Sequence, residues 1–342
     1  DFMLLRQLHL LNFRSFKDAL FDLKKTSLIY GENGTGKTSL IEAIHFSLKA
    51  KSFRTSSVNA MVKNDSNFFR ISTNFHDQKR IIEKKVGKAI HKLNYENFPK
   101  YDCLPLLLNN FSLRFLEQNK DERRVFIDYF LFHVKQEHLD NLKRFKKILL
   151  SRNKALREEN KNQISIWTKL FIESSEQINK DREQIVKKIL ENLESNILNR
   201  LENKRWKNIL SGLQISFFPG WKGESLENVL RADYEEDLLK GYTKSGAHKF
   251  DLEIKVLGES SGNILSRGEQ KLLILLTFLS FGNYLEDLQN KQIIYLIDDL
   301  PSELDEKNLN LALEFLALSS SQKIITSVNK IENKTIEHLI DL

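Results

Sequence analysis

The stretch Gly31–Thr38, GENGTGKT, follows the apolar run Leu28–Tyr30 and precedes the amphipathic run Ser39–Leu48. Glycines, lysine and threonine at this spacing, between a strand and a helix, predict a phosphate-binding loop. The backbone N–H groups of such a loop turn inward around a phosphate, and the helix that follows directs its positive end at the same anion. The alternative is a glycine-rich turn without a ligand. The strand before and the helix after favour nucleotide binding.

The loop assigns a role to two side chains. Lys37 is expected to bridge the β- and γ-phosphates of ATP, and the Thr38 hydroxyl is expected to hold Mg²⁺. The predicted cofactors are therefore ATP and Mg²⁺. The candidate nucleotide contacts in this part of the chain are Gly31, Glu32, Asn33, Gly34, Thr35, Gly36, Lys37, Thr38 and Ser39.

Two segments much further along the chain narrow the class of phosphate-loop protein that the sequence predicts. Leu265–Lys271, LSRGEQK, opens the apolar run Leu272–Phe281. Ile293–Asp299, IIYLIDD, is an apolar run typical of a buried parallel strand, and it ends in two carboxylates. A strand that ends in acids supplies what Mg²⁺ needs opposite a phosphate loop.

Each of these segments also has an explanation that requires no ligand. Ser266 followed by Glu269 fits a capping box at a helix start. The acid pair at 298–299 fits a turn where the chain leaves the core, and Asp305 fits the N-cap of the next helix. The order of the motifs along the chain, with SELD at 302–305 just behind the acid pair, favours a functional interpretation of all three.

The combination resembles the ABC-type ATPase head of the structural-maintenance-of-chromosomes group and, within that group, the bacterial RecF family. The resemblance extends over nearly the whole chain. The segments that carry it, besides the three motifs above, are LNFRSF at 11–16, SFR at 52–54, RRVFID at 123–128, LFHV at 131–134, SRN at 151–153, PGW at 219–221 and GAHKFD at 246–251.

The resemblance implies an α/β fold, an ABC-type P-loop ATPase head with a mixed sheet, flanking helices and an inserted α-helical lobe. It implies that Asp298 completes the Mg²⁺ site with Thr38, and that Asp299 orients or deprotonates the attacking water beside Lys37. It also implies that the start of the LSRGEQ helix contacts a nucleotide held by a second copy of the chain. The further nucleotide contacts implied are Arg14, Ser266, Arg267, Gly268 and Asp305.

The chain departs from the family pattern in two places. The glutamine expected between Pro105 and Arg123 is missing, and only Asn109 or Asn110 stands near its place. Ala247 and Lys249 are the second departure, in a motif that is often Pro-His-Arg. Thr326 and Ser327 stand where transporter-type ATPases carry a switch histidine, which this family tends to lack. We therefore expect a weak, DNA-stimulated ATPase with slow hydrolysis, in which ATP binding is better supported than turnover.

The helical periodicity predicts how the chain is organised. Almost no glycine or proline occurs from about 121 to 210, and apolar residues recur there at helical spacing, as at Ile185, Ile189, Leu193 and Ile197. We assign 1–120 and 211–342 to the ATPase head, split in sequence, and 121–210 to a helical arm. Alternating residues predict a β-rich patch over 68–95 within the head.

We expect a cytoplasmic, nucleoid-associated protein, and the composition agrees with a soluble intracellular chain. The 342 residues include a single cysteine, Cys103, and no apolar run of membrane-spanning length. The net charge of +7 is a modest excess of 53 Lys and Arg over 46 Asp and Glu. Its distribution is either a solvated helix face or a DNA-binding surface. The residues concerned are Lys143, Arg144, Lys146, Lys147, Arg152, Lys154, Arg157, Lys187, Lys188, Arg200, Lys204, Arg205 and Lys207.

The family resemblance implies a function in recombinational DNA repair. It implies an ATP-dependent homodimer that binds double-stranded DNA and gapped or single-strand/double-strand junction DNA, and that helps RecO and RecR to load the recombinase RecA. Two other classes share parts of the motif set. One is the ATPase subunit of a transporter, against which Arg267 and the inserted lobe argue. The other is a nuclease-associated P-loop ATPase, which would require an additional acidic domain.

Overall fold

A computed structural model describes residues 4–75, 78–93, 103–109, 112, 116, 120–135, 137–289 and 291–342. The chain divides into two compact units. The first, here called the split unit, contains Asp1–Ser112 and Arg267–Leu342, and the second, here called the inserted unit, is Leu113–Ser266. The polypeptide therefore leaves the first unit and returns to it after the second.

The described strands are, in chain order, β1 (Leu5–Phe13), β2 (Phe16–Asp22), β3 (Thr26–Tyr30), β4 (Phe68–Phe75), β5 (Gln78–Lys85), β6 (Ile90–Leu93), β7 (Cys103–Leu108), β8 (Leu213–Phe218), β9 (Asp251–Val256), β10 (Glu259–Ser260), β11 (Gln292–Ile297), β12 (Gln322–Ser327) and β13 (His338–Asp341). The described α-helices are α1 (Lys37–Lys49), α2 (Lys120–Val134), α3 (His138–Arg157), α4 (Lys161–Asn192), α5 (Lys204–Ser211), α6 (Leu226–Ala232), α7 (Tyr234–Lys240), α8 (Ser261–Ile264), α9 (Arg267–Gln289) and α10 (Glu306–Ala317). Short 3-10 turns lie at Val58–Met61, Leu198–Arg200 and Ala247–Lys249, and a π turn follows α4 at Leu193–Ile197.

A parallel sheet in the order β13-β3-β12-β11-β7 forms the centre of the split unit. Its inner strands are buried runs of branched apolar residues, as in Ile293–Ile297, which is the pattern of a sheet covered on both faces. The carboxyl ends of parallel strands meet at one edge of a sheet. The residues that follow β3 and β11, including the phosphate loop and the acid pair, therefore lie at the same edge.

An antiparallel sheet in the order β2-β1-β4-β5-β6 is the other layer of this unit. Helix α1 shares one core with both sheets, since Leu40 and Ile44 of α1 pack with Leu10 of the antiparallel sheet and Ile324 of the parallel sheet. Strands β4 to β6 occupy 68–93 of the β-rich patch predicted at 68–95, and residues 94 and 95 lie outside the described residues. The short turn between β1 and β2 places Arg14 beside the start of α1.

The inserted unit combines long helices with the antiparallel sheet β10-β9-β8. The periodic residues Ile185, Ile189, Leu193 and Ile197 are all buried, as expected of a core face. The unit extends to Ser266, whereas the helical arm was predicted at 121–210. Ion pairs and hydrogen bonds account for the difference, since Arg152 of α3 pairs with Asp237 and Arg182 of α4 donates to the Ala247 carbonyl. The assignment of head and arm as functional parts stays a prediction.

Within the described ranges, every helix is either too short or too polar to cross a membrane.

Candidate nucleotide-binding site

The phosphate loop lies between β3 and α1 and adopts a backbone that L side chains rarely adopt. Gly34 and Gly36 have φ of 92° and 113°, and Gly36 is the N-cap of α1. A Cβ on Gly36 would lie 2.7 Å from the Phe16 ring, so a side chain at this position would displace the β1–β2 turn. The glycines therefore serve both the shape of the loop and the close approach of this turn.

Lys37 lies across the loop that precedes it. Its Nζ donates to the Gly31 carbonyl at 2.6 Å and to the Glu32 carbonyl at 2.7 Å. Thr35 closes the tip of the same loop, because its hydroxyl donates to the Glu32 carbonyl at 3.1 Å. An ammonium carries three donors, so Lys37 keeps one for a ligand while two hold the loop in shape.

The acid end of β11 reaches the start of α1. The Thr38 hydroxyl lies 3.1 and 3.0 Å from the two carboxylate oxygens of Asp298. Thr326, at the end of β12, donates its hydroxyl to Asp298 at 2.8 Å and accepts from the Asp299 N–H at 2.7 Å. The ends of β11 and β12 and the start of α1 therefore hold the Asp298 carboxylate beside the Thr38 hydroxyl.

This donor set fits Mg²⁺. Mg²⁺ is commonly bound by one or two protein oxygens, with phosphates and waters completing its octahedron. The described residues contain no cluster of three or more His, Cys, Asp or Glu side chains that would hold a metal without such help. Thr38 and Asp298 would hold the ion only together with a bound phosphate.

A cavity of about 610 Å³ opens over these groups. Its volume lies within the range of small-molecule and cofactor sites, roughly 300 to 1,000 Å³. The predicted site residues that line it are Arg14, Asn33, Gly34, Gly36, Lys37, Thr38, Ser39, Asp298 and Asp299. The remaining predicted residues, Gly31, Glu32, Thr35, Ser266, Arg267, Gly268 and Asp305, are not part of its lining. Arg54, Lys63 and Asn64 line it as well and were not predicted.

Arg14 lines the cavity and is held there by a carboxylate that was not predicted from the sequence. Glu42 of α1 is fully buried and accepts from Arg14 Nε at 2.9 Å and Nη2 at 2.7 Å. The same carboxylate accepts from the Ser52 hydroxyl at 2.5 Å and from Arg54 Nη1 at 3.4 Å. Arg14 itself has φ of 52°, which the surrounding hydrogen bonds stabilise. The signal available in sequence was weak: Glu42 is an acidic residue one turn after Thr38 in the helix that follows the phosphate loop.

The LSRGEQ segment and Asp305 lie together at the start of two helices. Helix α9 begins at Arg267, directly after the exposed Ser266. A Cβ on Gly268 would lie 3.0 Å from the Glu303 carbonyl oxygen, which places the helix start against the segment before α10. Asp305 is the N-cap of α10, and its carboxylate accepts from the Asn308 N–H at 2.7 Å. The capping role of Asp305 is therefore confirmed, and its contact with a second copy stays a prediction.

The position of the missing glutamine falls at the same sheet edge. Asn109 follows β7, and the Asp298 N–H donates to the neighbouring Leu108 carbonyl at 2.9 Å. The Asn109 side chain accepts from the Ser112 N–H at 3.3 Å. Asn110, the other candidate, lies outside the described residues.

Arg152 is wrongly placed in the predicted basic surface. It is 1% exposed and donates from Nη1 to Asp237 at 2.9 Å, and Asp237 is itself fully buried. Other residues of the run, such as Lys146 and Lys147, are exposed. The surface interpretation thus applies to the exposed lysines and arginines and fails for Arg152.

The comparisons with known proteins agree with this geometry. The family model described as RecF/RecN/SMC N terminal domain matches residues 4–100. The chain is 35% identical over 343 residues to a protein of Pseudoalteromonas translucida named DNA replication and repair protein RecF, with 95% of this chain and 92% of the relative covered. A protein of the same name from Shewanella pealeana is 33% identical, with 95% and 92% covered.

Solved structures show the fold. A structure of the recombination mediator protein RecF-ATPrS in the RecFOR pathway matches with a TM-score of 0.77 at 23% identity, covering 100% of this chain and 96% of that one. An SmcHead bound to the C-winged helix domain of ScpA matches with a TM-score of 0.53 at 17% identity, covering 98% and 93%. The predicted ABC-type ATPase fold is confirmed, and the transporter and nuclease-associated alternatives are not favoured. On the identity and coverage of its curated relatives, the chain belongs to the RecF family of DNA replication and repair proteins.

Proposed function

We propose that this chain is an ATP-dependent DNA-binding protein of recombinational repair. ATP·Mg²⁺ joins two copies head to head, and the dimer binds double-stranded DNA and gapped or junction DNA. With RecO and RecR it assists the loading of RecA, in the cytoplasm at the nucleoid. The support for the partners is the name of the family and the RecFOR pathway in which the structurally similar RecF takes part.

One observation carries the proposal for ATP. The loop between β3 and α1, the Thr38 hydroxyl and the Asp298 carboxylate meet at one edge of the parallel sheet, with Thr38 and Asp298 3.0 Å apart. A phosphate above Gly34 and Gly36 would face backbone N–H groups, the start of α1 and Lys37 Nζ. A second matching structure is that of RecF with ATP, which supports the same ligand here.

The positions of the residues around the cavity support proposed roles toward the nucleotide bound by the same copy. Lys37 would release one loop carbonyl and donate to the β- and γ-phosphates. Thr38 and Asp298 would hold Mg²⁺. Bound Mg²⁺ would neutralise charge that develops on the phosphates during transfer. Asp299, which lines the cavity beside Asp298, orients the attacking water and accepts its proton. The absence of the family's glutamine, near whose place Asn109 and Asn110 stand, would make hydrolysis slow.

The starts of α9 and α10 would contact the nucleotide that is bound by the second copy of the chain. A helix N-terminus presents free N–H groups and partial positive charge to an anion. Ser266 and Asp305 are both exposed, and the packing of Gly268 on the Glu303 carbonyl keeps the two helix starts adjacent. Ser266, Arg267 and Gly268 of one copy would therefore contact the γ-phosphate bound by the other.

Exposed basic residues of the inserted unit would bind the DNA backbone. Neutralising phosphates with lysine and arginine gives affinity that does not depend on sequence and that falls with salt. Dimerisation would double this surface and raise avidity without a new type of contact. The exposed residues are Lys143, Arg144, Lys146, Lys147, Lys154, Arg157, Lys187, Lys188, Arg200, Lys204, Arg205 and Lys207.

Light scattering with ATP·Mg²⁺ and duplex DNA, each present or absent, and a nucleotide titration test the proposal on three proteins. The wild type should form dimers with ATP·Mg²⁺ and bind duplex DNA as a dimer. Lys37→Met should lose at least about a hundredfold in ATP affinity, since it removes the charge-assisted donor to the phosphates. Ser266→Arg should retain ATP binding and lose the dimer, because the larger side chain occupies the space needed by the partner's phosphate.

Two outcomes would overturn parts of the proposal. ATP-dependent dimers of the Ser266→Arg protein would refute the contact in trans. Wild-type dimers that ignore duplex DNA at low salt would refute the DNA-binding function while leaving ATP binding intact.

A further inference from the structure

Lys271 lies in the second turn of α9 and is almost completely buried, at 3% exposed. Its Nζ donates to the Asp299 carbonyl at 2.8 Å and to the Ser302 carbonyl at 3.0 Å. Both partners are backbone groups of the segment that follows β11. A buried lysine therefore connects α9 to the segment that carries the proposed catalytic carboxylate.

The segment that Lys271 holds has an unusual backbone. Asp299 and Glu303 both have positive φ, at 57° and 63°. Residues other than glycine adopt this conformation at an energetic cost, and the conformation persists only where surrounding contacts impose it. The described contacts that impose it include the two Lys271 bonds and the bond from the Asp299 N–H to Thr326 at 2.7 Å.

Holding two carbonyls with the buried ammonium of Lys271 has a free-energy cost. Burial lowers its pKa from 10.5 to about 8, and the nearby carboxylates of Asp299, Glu303 and Asp298 offset only part of that effect. A neutral side chain would avoid the cost of burying a charge. The cost indicates that the position of this segment matters to the protein.

The same part of α9 contacts the far end of the segment. Gly268 packs against the Glu303 carbonyl, and Arg267 Nη1 lies 3.3 Å from Glu303 Oε1. The start of α9 thus contacts the segment 299–303 at both ends. A displacement of this helix start would be transmitted to the backbone of Asp299.

We propose that Lys271 is a positioning residue that holds the backbone of 299–302 so that the Asp299 carboxylate faces the attacking water. It touches no nucleotide in this role. It couples the helix start that meets the partner's phosphate to the carboxylate that acts on the chain's own nucleotide. The inference rests on the proposed function for the role of Asp299, and on the contacts alone for the restraint of the segment.

Lys323 provides a matched control within the same unit. It is 2% exposed, burial likewise lowers its pKa to about 8, and its Nζ donates to the Ser319 carbonyl at 2.5 Å. It stands near the beginning of β12, at the edge of the parallel sheet opposite the cavity. Lys323→Met therefore removes an equally buried ammonium without touching the segment 299–303.

The test compares the wild type, Lys271→Met and Lys323→Met by three measurements. These are ATP affinity, the rate of a single turnover, and amide hydrogen exchange at 298–303. Lys271→Met should lower the turnover rate about a hundredfold, the scale expected for a misplacement of about 1 Å, and leave ATP affinity within about twofold. Exchange at 298–303 should rise in Lys271→Met and stay at the wild-type rate in Lys323→Met.

Wild-type exchange at 298–303 in the Lys271→Met protein would overturn the inference, as would a turnover rate equal to that of Lys323→Met. A wild type that binds ATP and never hydrolyses it would instead refute the turnover in the proposed function. The exchange measurement would then still decide whether Lys271 restrains the segment. The two failures are therefore distinguishable.

Discussion

Arg14 and Arg152 use the same chemistry for different purposes. Each pairs with a fully buried carboxylate, Glu42 for Arg14 and Asp237 for Arg152. Arg152 is 1% exposed, donates also to Thr168 and Thr243, and lies with its guanidinium 5.9 Å from the Phe171 ring centre. Arg14 keeps 20% of its side chain exposed and lines the cavity.

The difference lies in where the remaining donors point. A guanidinium has five N–H donors, and one bidentate carboxylate uses two of them. Arg14 uses a third on the Ala60 carbonyl at 2.8 Å, which leaves donors for a ligand in the cavity. Arg152 is enclosed by protein on every side. An arginine held by a buried acid at a cavity edge is thus prepared to bind, whereas the same pair inside a core is structural.

Arg152→Met tests the structural half of this comparison and should have the largest effect on stability. Removing Arg152 leaves the buried Asp237 carboxylate without its ion-pair partner and with the Lys244 N–H as a remaining donor at 2.9 Å, which costs about 3 to 5 kcal/mol. Urea unfolding should show this loss, and ATP affinity should not change. Arg144→Met, at an exposed position of the same helix, is the control and should change stability by less than about 0.5 kcal/mol. A loss of ATP affinity in Arg152→Met without a loss of stability would reverse the assignment.

The pattern of α3 contained the information that Arg152 is structural. Arg152 follows Phe145 and Ile148 and precedes Leu156 at helical spacing, and all four residues are buried. A charge within an apolar stripe is more often a buried pair than a binding surface. A run of basic residues along the chain does not show on which face of the helix each residue falls. The period of 3.6 residues predicts the burial of Arg152 where the charge run does not.

The phosphate loop and the acid pair were predictable because each is a local pattern with a fixed neighbour. The GENGTGKT stretch requires a strand before it and a helix after it, and β3 and α1 occupy those places. Glu42 and Lys271 were not predictable in the same way. Arg14 lies 28 residues from Glu42, and Asp299 lies 28 residues from Lys271. Each contact depends on how the β1–β2 turn or the segment after β11 folds back.

The bounds of the inserted unit were also beyond the sequence pattern. Gly212, Pro219 and Gly220 marked a return from the helical region, and the chain does turn there into β8. The sheet that begins with β8 nevertheless belongs to the inserted unit, since it is joined to the helices through pairs such as Arg123 with Asp251 at 2.7 Å. An ion pair between residues more than a hundred positions apart leaves no local pattern in the sequence.

Glu42→Gln tests whether the buried carboxylate prepares Arg14 for binding at the cavity, and it should have an intermediate effect. The amide retains the shape of the side chain but loses one of the two acceptors that hold Arg14, so the guanidinium is no longer fixed at the cavity. We expect about tenfold weaker ATP binding and a loss of about 1 to 3 kcal/mol in stability, measured by nucleotide titration and urea unfolding.

A double-mutant cycle identifies the route of this effect. If Glu42 acts through Arg14, the Glu42→Gln and Arg14→Gln double variant should bind ATP no more weakly than Arg14→Gln alone. Glu286→Gln is the matched control, since Glu286 also accepts from a serine hydroxyl, that of Ser321, away from the cavity lining. Fully additive losses in the cycle would show that Glu42 supports the fold rather than the position of Arg14.

The smallest expected effect is a dependence on pH in the inserted unit. Burial alone would raise the pKa of Asp128, but hydrogen bonds from His138 and Arg182 outweigh it and lower the pKa below its ordinary value of 3.8. A depressed carboxyl pKa stabilises the fold above the unfolded value, and this contribution is lost as pH falls through the folded pKa. The stability difference between the wild type and Asp128→Asn should therefore shrink below about pH 4, measured by urea unfolding at pH 7 and at steps down to pH 3. A difference that stays constant over this range would mean that Asp128 and Arg182 are held by shape and hydrogen bonds rather than by charge. Buried pairs of the inserted unit would then differ from Arg14 with Glu42 in exposure alone.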